Sequence, residues 1–363
     1  MSHIAPQSTS YDLVVVGAGI VGLACAWRAA QTGLSVVVLE RDEPGAGASG
    51  VAAGMLAPVT EADFGEEELL ALNLESRALW PGFAAELEEV TGMSTGYSDC
   101  GALVVAADRD DAEELRRLQA YQERIGLGSE WLGPRAARAL EPRLSPRVAG
   151  AIFAPQDSRA DPGGTVAALV EALRSSGGEL VRGAEVVSVL REGGRTSGVR
   201  TATAEVRAEQ VLIAAGAWSA SLSEDPPPVR PLKGQLLELR VRPGCEPLLA
   251  RTIRTPRCYL VSRGDGRVIL GATMEEQGFD TSVTADGVLR LLEAAYEVLP
   301  GVAELELVRA RAGLRPATPA NRPVVGGHDL LWATGHGRNG VLLAPLAART
   351  IAARLDRQVA GSA

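Results

Sequence analysis

Residues 11–40 read YDLVVVGAGIVGLACAWRAAQTGLSVVVLE. Leu13-Val14-Val15-Val16 is a β-branched apolar run without polar alternation, the pattern of a strand buried on both faces. It ends at Gly17, and residues 19–31 then carry small apolar side chains at helical spacing as far as Gly33. Residues 35–39 form a second buried strand, closed by Glu40. Strand, glycine turn, helix, strand and acidic residue make one parallel βαβ unit. Its Gly17-Ala18-Gly19-Ile20-Val21-Gly22 is a G-x-G-x-x-G turn in the setting its mechanism needs. Gly17 permits the tight turn, Gly19 lets backbone approach a pyrophosphate, and Gly22 lets helix and strand pack closely. The helix start offers N–H groups to the phosphates. Glu40 follows Gly22 by 18 residues, placed to accept hydrogen bonds from a ribose and to disfavour a 2′-phosphate.

Around this unit stand 363 residues, more than one hydrophobic core of roughly 250–300 residues supports, so two domains are expected. Lys+Arg number 36 against 45 Asp+Glu, a net charge of −9 that repels phosphate backbones. Nucleic acid and anionic membrane are therefore disfavoured as partners. No apolar stretch reaches the ~20 residues of a membrane span, and residues 1–10 lack the pattern of a signal peptide. A cytoplasmic location is expected. The cysteines (Cys25, Cys100, Cys245, Cys258) and histidines (His3, His328, His336) show no metal-ligand spacing, so neither a metal site nor a disulfide framework is expected. Lys233 is the single lysine, which reads as composition bias.

Helices are expected at about 66–90, 109–125, 165–175, 285–299 and from 339 to 355. Strands are expected at 103–105, 150–154, 179–189, 210–216, 235–241, 258–262, 267–273, 308–314 and 330–333. Gly264-Asp265-Gly266 joins two of these as a hairpin. Parallel character at the start, middle and end, with antiparallel character at roughly 90–147 and 230–315, implies an α/β fold. A discontinuous Rossmann-like domain (1–80, 148–222 and 316–363) would carry an inserted antiparallel-sheet substrate domain (81–147 and 223–315).

Three segments favour FAD over NAD. Residues 46–56 (AGASGVAAGML) supply small side chains and a serine suited to a groove around an extended cofactor. The strand at 211–216 ends in Ala214-Ala215-Gly216, where close approach of a ligand or backbone demands small residues. Residues 334–340 (TGHGRNG) open the last helix, and the partial positive charge there suits a ring that becomes anionic on reduction. A flavin does so; a nicotinamide becomes neutral.

These segments, with Gly313-Leu314-Arg315-Pro316 and residues 335–345, resemble the FAD-dependent amine oxidases of the D-amino acid oxidase superfamily. Ala52-Ala53-Gly54-Met55-Leu56 and residues 271–275 (GATME) are most similar to its bacterial glycine oxidase branch, which supplies iminoacetate for the thiazole ring of thiamine. The resemblance runs from about 11 to 355. It implies that Ile20-Val21, Glu40-Arg41, Ala48-Ser49 and Ala53-Gly54-Met55 line FAD, and that Val186 meets the adenine side through its backbone. His336-Gly337-Arg338-Asn339-Gly340-Val341-Leu342 would wrap the pyrimidine end of the ring. Arg315 would hold a substrate carboxylate with help from Tyr259, with Arg338 near both flavin and substrate and Met55 lining the pocket.

The activity so implied is oxidation of glycine or a small amine or D-amino acid. Hydride passes to flavin N5, the imine is hydrolysed, and O2 is reduced to hydrogen peroxide. A homo-oligomer, a homotetramer in the resembled family, is implied too. Three departures stand out. Arg257 replaces a histidine frequent two places before the tyrosine. No cysteine lies between 308 and 321, so FAD is expected to be non-covalent. The strand at 267–270 lacks the lysine that related sarcosine oxidases place over the flavin. Other readings are a D-amino acid or sarcosine oxidase or dehydrogenase passing electrons to a quinone, and a flavin-containing binding protein without turnover.

Overall fold

The computed structural model describes residues 10–362, with side chains as far as 356. Two eight-stranded sheets organise it. In the first, Leu331–Thr334, Glu205–Ile213, Ser10–Val16, Val36–Glu40 and Glu179–Arg182 lie in that order and run parallel. Val324–Gly327 adds an antiparallel edge. The unbroken apolar run of the first strand is explained by its two neighbouring layers. Leu13 and Val15 face the helices Ile20–Gln31, Glu67–Thr91, Pro162–Ser175 and Gly340–Ser362, while Val14 and Val16 face a second core with Val186, Val199 and Val206.

That second core is where the sequence reading departs most from the structure. The strand expected over 179–189 is broken at Gly183, whose φ of +69° turns the chain, giving Glu179–Arg182 and Val186–Glu192. The latter pairs with an unforeseen strand, Arg195–Thr201, in an antiparallel ribbon continued by Glu205–Ile213. The strand expected to reach Gly216 stops at Ile213, and Gly216–Leu222 is a 3₁₀ helix. Gly337–Asn339 makes another 3₁₀ turn before the last helix.

The second sheet runs Glu306–Ala317, Arg230–Arg240, Arg267–Gly271, Tyr259–Ser262, Thr252–Arg254, Ala102–Ala106, Gly150–Ala154 and Glu130–Leu132. It is antiparallel except where Thr252–Arg254 meets Ala102–Ala106. Strand alternation divides its side chains. Leu237, Leu260 and Leu270 pack against Ala285–Val298, whereas Leu236, Val261, Ile269 and Tyr259 face the first sheet's side of the molecule with Ala53 and Met55.

Gly150–Ala154, just past the boundary expected at 148, joins the second sheet. It is hydrogen-bonded into the second sheet between Ala102–Ala106 and Glu130–Leu132, because Ala151 and Ile152 bury on opposite faces there. Among the described residues no helix is long and apolar enough to cross a membrane, and no group of three or more His, Cys, Asp or Glu could hold a metal. All four cysteines are free.

Candidate active site and cofactor cleft

A cleft of about 380 Å³ opens between the carboxyl ends of the parallel strands and the inner face of the second sheet. In open parallel sheets ligands bind there, where the strand order reverses about the first strand. The glycine turn forms one wall. Gly17 has φ +105°, and a Cβ on it would stand 2.6 Å from the Ala214 carbonyl oxygen. A Cβ on Gly22 would overlap the Gly17 carbonyl. The helix Ile20–Gln31 starts on Gly19 without a side-chain cap, and Ile20 N–H donates to Ser49 Oγ at 3.0 Å. Gly17, Gly19, Ile20 and Val21 all line the cleft. Gly22 stands behind them, packed on Gly17 and Ala214.

At one end, Glu40 accepts from the N–H groups of Ala18 (2.7 Å) and Asp42 (2.9 Å), which fix the carboxylate at the strand's end. A carboxylate has lone pairs for further donors. Arg41 lies over the Trp218 ring at 3.9 Å, and Val186 and Gly216 complete this end. Ala48, Ser49, Ala53, Gly54 and Met55 line the middle. Gly54 is needed where it stands, since a Cβ there would reach within 2.8 Å of Pro162 Cδ at a φ of +75°. Arg263, buried beneath, donates to the carbonyls of Ala53 and Ala160 and holds the segment in place.

The other end gathers His336, Gly337, Arg338, Gly340 and Val341. His336 is buried, its Nε2 has no partner among the described residues, and burial pushes its pKa down to about 4. It is therefore a neutral imidazole at neutral pH, with one buried ring nitrogen unpaired. Asn339 and Leu342, expected around a flavin ring, do not line the cleft. Asn339 is buried in the turn, and the Leu342 carbonyl accepts from Ser76 Oγ (2.6 Å) and Trp80 Nε1 (2.9 Å) in the helical core. Arg338 lines the cleft but has acidic partners: its guanidinium pairs with Glu66 and lies 3.9 Å from Glu61. That ion pair offsets the cost of a cation at a helix start.

Arg315 differs. From the strand Glu306–Ala317 its side chain crosses Gly234, where a Cβ would stand 2.6 Å from both Cζ and Nη2. Nη1 donates to the carbonyls of Thr273 (3.1 Å) and Lys233 (3.4 Å), and among the described residues no carboxylate pairs with it. Tyr259 crosses Gly271 in the same manner, a Cβ there standing 2.5 Å from its Cζ. Burial pushes the Tyr259 phenol up, against the pull of the Arg315 guanidinium, so it stays a donor at neutral pH. Glu61, Arg254 and Met274 also line the cleft, unforeseen from sequence because isolated loop and edge residues carry no pattern.

The profile of the DAO family, FAD dependent oxidoreductase, matches residues 12–354. The chain belongs to the DAO family of FAD dependent oxidoreductases. Within that family it is 34% identical to the glycine oxidase of Geobacillus kaustophilus over 359 residues, 96% of this chain and 93% of that protein. The crystal structure of glycine oxidase from that organism superposes with a TM-score of 0.90, covering 96% and 95% of the two chains. Glycine oxidase from Bacillus cereus superposes with a TM-score of 0.88 at 31% identity, covering 96% and 95%. The bifunctional protein ThiO/ThiG of Trichormus variabilis is 37% identical over 346 residues, 94% of this chain and 52% of that protein. The chain thus spans about half the length of that bifunctional relative.

As a DAO-family member the chain takes FAD as its cofactor. The cleft fits an elongated dinucleotide on three counts. Its glycine cradle excludes a Cβ at Gly17 and Gly22, a fixed carboxylate stands at one end, and a buried unpaired imidazole nitrogen stands at the other.

Proposed function

We propose that the chain oxidises glycine or a similarly small amino acid, with Arg315 as the anchor of the substrate carboxylate. The observation that carries this reading is the state of Arg315. A half-buried guanidinium is costly without an anion, and its partners are backbone carbonyls that aim it into the cleft. A carboxylate matches the guanidinium fork and completes it at about 1.5–3 kcal/mol per charge-assisted bond. Tyr259, held protonated by its burial, donates its hydroxyl to the same carboxylate. The relatives named glycine oxidase support this reading, as does the size of the ligand. Tiny ligands gain at most about 1.5 kcal/mol per heavy atom, so the five atoms of glycine reach micromolar affinity at best and need a charged anchor.

FAD supplies the hydride acceptor when bound. Glu40, with Arg41 and Val186 beside it, would hold the adenosine end, the glycine turn the pyrophosphate, and the 336–341 segment the ring. Arg315 and Tyr259 would orient the α-carbon hydrogen, and positioning of this kind is the protein's main contribution. The imine product would leave for hydrolysis or, as iminoacetate, for assembly of the thiamine thiazole ring, with O2 reduced to hydrogen peroxide. FAD would be held without a covalent bond. The substrate half would be formed on the second sheet and the cofactor half on the first.

The test is peroxide formation under air by the holoprotein with glycine, sarcosine, D-alanine and ethylamine. The three carboxylated amines are expected to yield peroxide and ethylamine none. Equal rates with ethylamine would contradict the anchor. Bleaching without peroxide would indicate a dehydrogenase, and no bleaching by any amine a flavoprotein without turnover.

A further inference from the structure

Lys233 is the single lysine of the chain and is 1% exposed, among the most deeply buried large side chains. Its ammonium pairs with Asp280 and lies 3.6 Å from Glu275. Both acids belong to the segment 272–284, which leaves the strand Arg267–Gly271 and carries Met274 along the cleft. Lys233 also bonds this segment through its backbone. Its N–H donates to the Glu275 carbonyl and its carbonyl accepts from Glu275 N–H, both at 3.0 Å. Gln235, two residues on along the strand, repeats the attachment. Its Nε2 donates to Glu275 Oε1 at 2.7 Å and Thr284 Oγ1 at 3.1 Å, and its Oε1 accepts from Thr284 N–H at 2.9 Å.

The two carbonyls that receive Arg315 Nη1 are those of Lys233 and Thr273, one from each side of this attachment. The relative position of strand and segment therefore sets the direction of the guanidinium. A compact ammonium on a slim stem reaches both acids while the residue itself stays 1% exposed. Its charge is neutralised by the two acids it joins, as a buried cation requires.

We propose that Lys233 is a positioning residue for substrate binding: it ties the 272–284 segment to the strand Arg230–Arg240 and so aims Arg315 at the substrate carboxylate. This rests on the reading of Arg315 as carboxylate anchor. The consequence is specific. Loss of the tie weakens recognition of the carboxylate and leaves the cofactor end of the cleft, built on the other sheet, untouched.

The experiment compares parent, Lys233→Met, Asp280→Asn and Arg315→Ala holoproteins by FAD content, KM and kcat for glycine, and the dissociation constant of acetate read from the flavin absorbance change. Lys233→Met is expected to keep its FAD, to raise KM and the acetate constant at least tenfold, and to change kcat less than threefold. Asp280→Asn is expected to move KM and the acetate constant about threefold in the same direction, and it decides the matter should Lys233→Met not fold. Lys233→Met (or Asp280→Asn in its stead) binding acetate within 1.5-fold of the parent, while Arg315→Ala loses it, overturns the positioning role. If Arg315→Ala also binds acetate normally, the anchor reading itself falls.

Discussion

Arg315 lays its guanidinium across the α-carbon of Gly234, in space that a methyl group would have to share: Cζ and Nη2 would both stand 2.6 Å from it. The absence of a side chain at 234 is thus a condition of the arginine's reach into the cleft. Gly234 sits within a strand, Arg230–Arg240, and is not among the glycines with positive φ, so alanine fits the backbone.

Gly234→Ala accordingly separates stability from binding. Restricting the unfolded chain favours the folded state by roughly 0.4–1 kcal/mol. The displaced guanidinium is expected to raise KM for glycine about tenfold. Urea unfolding and steady-state kinetics on one preparation check both. A variant that keeps its KM contradicts the clearance argument.

Glu40 offers a test of the other end of the cleft. Its carboxylate is fixed by Ala18 and Asp42 N–H groups and would accept the ribose hydroxyls. Glu40→Gln exchanges charge-assisted for neutral hydrogen bonds, a loss of about 1–2 kcal/mol. FAD titrated into apoprotein should bind about ten-fold more weakly, with KM for glycine nearly unchanged. Unaltered FAD affinity would remove Glu40 from the site.

His336 governs a pH dependence. Burial lowers its pKa from 6.5 to about 4, so between these values the unfolded chain binds more protons than the folded one. Its contribution to stability is complete above pH 6.5 and is lost as pH falls through about 4, in all about 3 kcal/mol. Asp157 acts in the opposite sense: burial raises its pKa from 3.8 to about 6, a contribution present at low pH and lost as pH rises through that value. Since His336→Gln leaves Asp157 unchanged, the difference between parent and variant apoproteins isolates the imidazole. The parent is expected to lose about 3 kcal/mol more than the variant from pH 7 to pH 4 by urea unfolding. Parallel losses would contradict a buried neutral imidazole.

Legibility from sequence followed periodicity and chemistry. The βαβ start was readable because Leu13–Val16 and 36–39 are continuously apolar and the glycines fall between them, and the hairpin around Asp265 because its turn chemistry is local. The strand Arg195–Thr201 was not. RTSGVRT lacks alternation, and it is held by pairing on both edges with strands whose own positions depend on the fold. Gly150–Ala154 read correctly as a strand, yet its sheet is decided by partners at 102–106 and 130–132.

The site divided in the same way. Arg315 and Tyr259 were singled out by motif, and the structure sets both on the cleft wall. Sequence could not show that Gly234 and Gly271 clear their paths, since a glycine inside a strand only marks some close approach. Nor could it show that Arg338 is paired with Glu66, 272 residues away. Lys233 read as composition bias because its acidic partners lie some forty residues on, in a segment without regular structure.

The most direct measurement is anaerobic titration of the yellow holoprotein with glycine, following loss of flavin absorbance in parent and Arg315→Ala. Removing two charge-assisted bonds costs at least about 3 kcal/mol, a factor above one hundred. The parent is expected to bleach at millimolar glycine or below, and the variant, with its FAD intact, to need at least a hundredfold more. Identical half-saturation in the two proteins, or a parent that glycine, sarcosine and D-alanine all leave yellow, would contradict an arginine-anchored amino acid at the flavin.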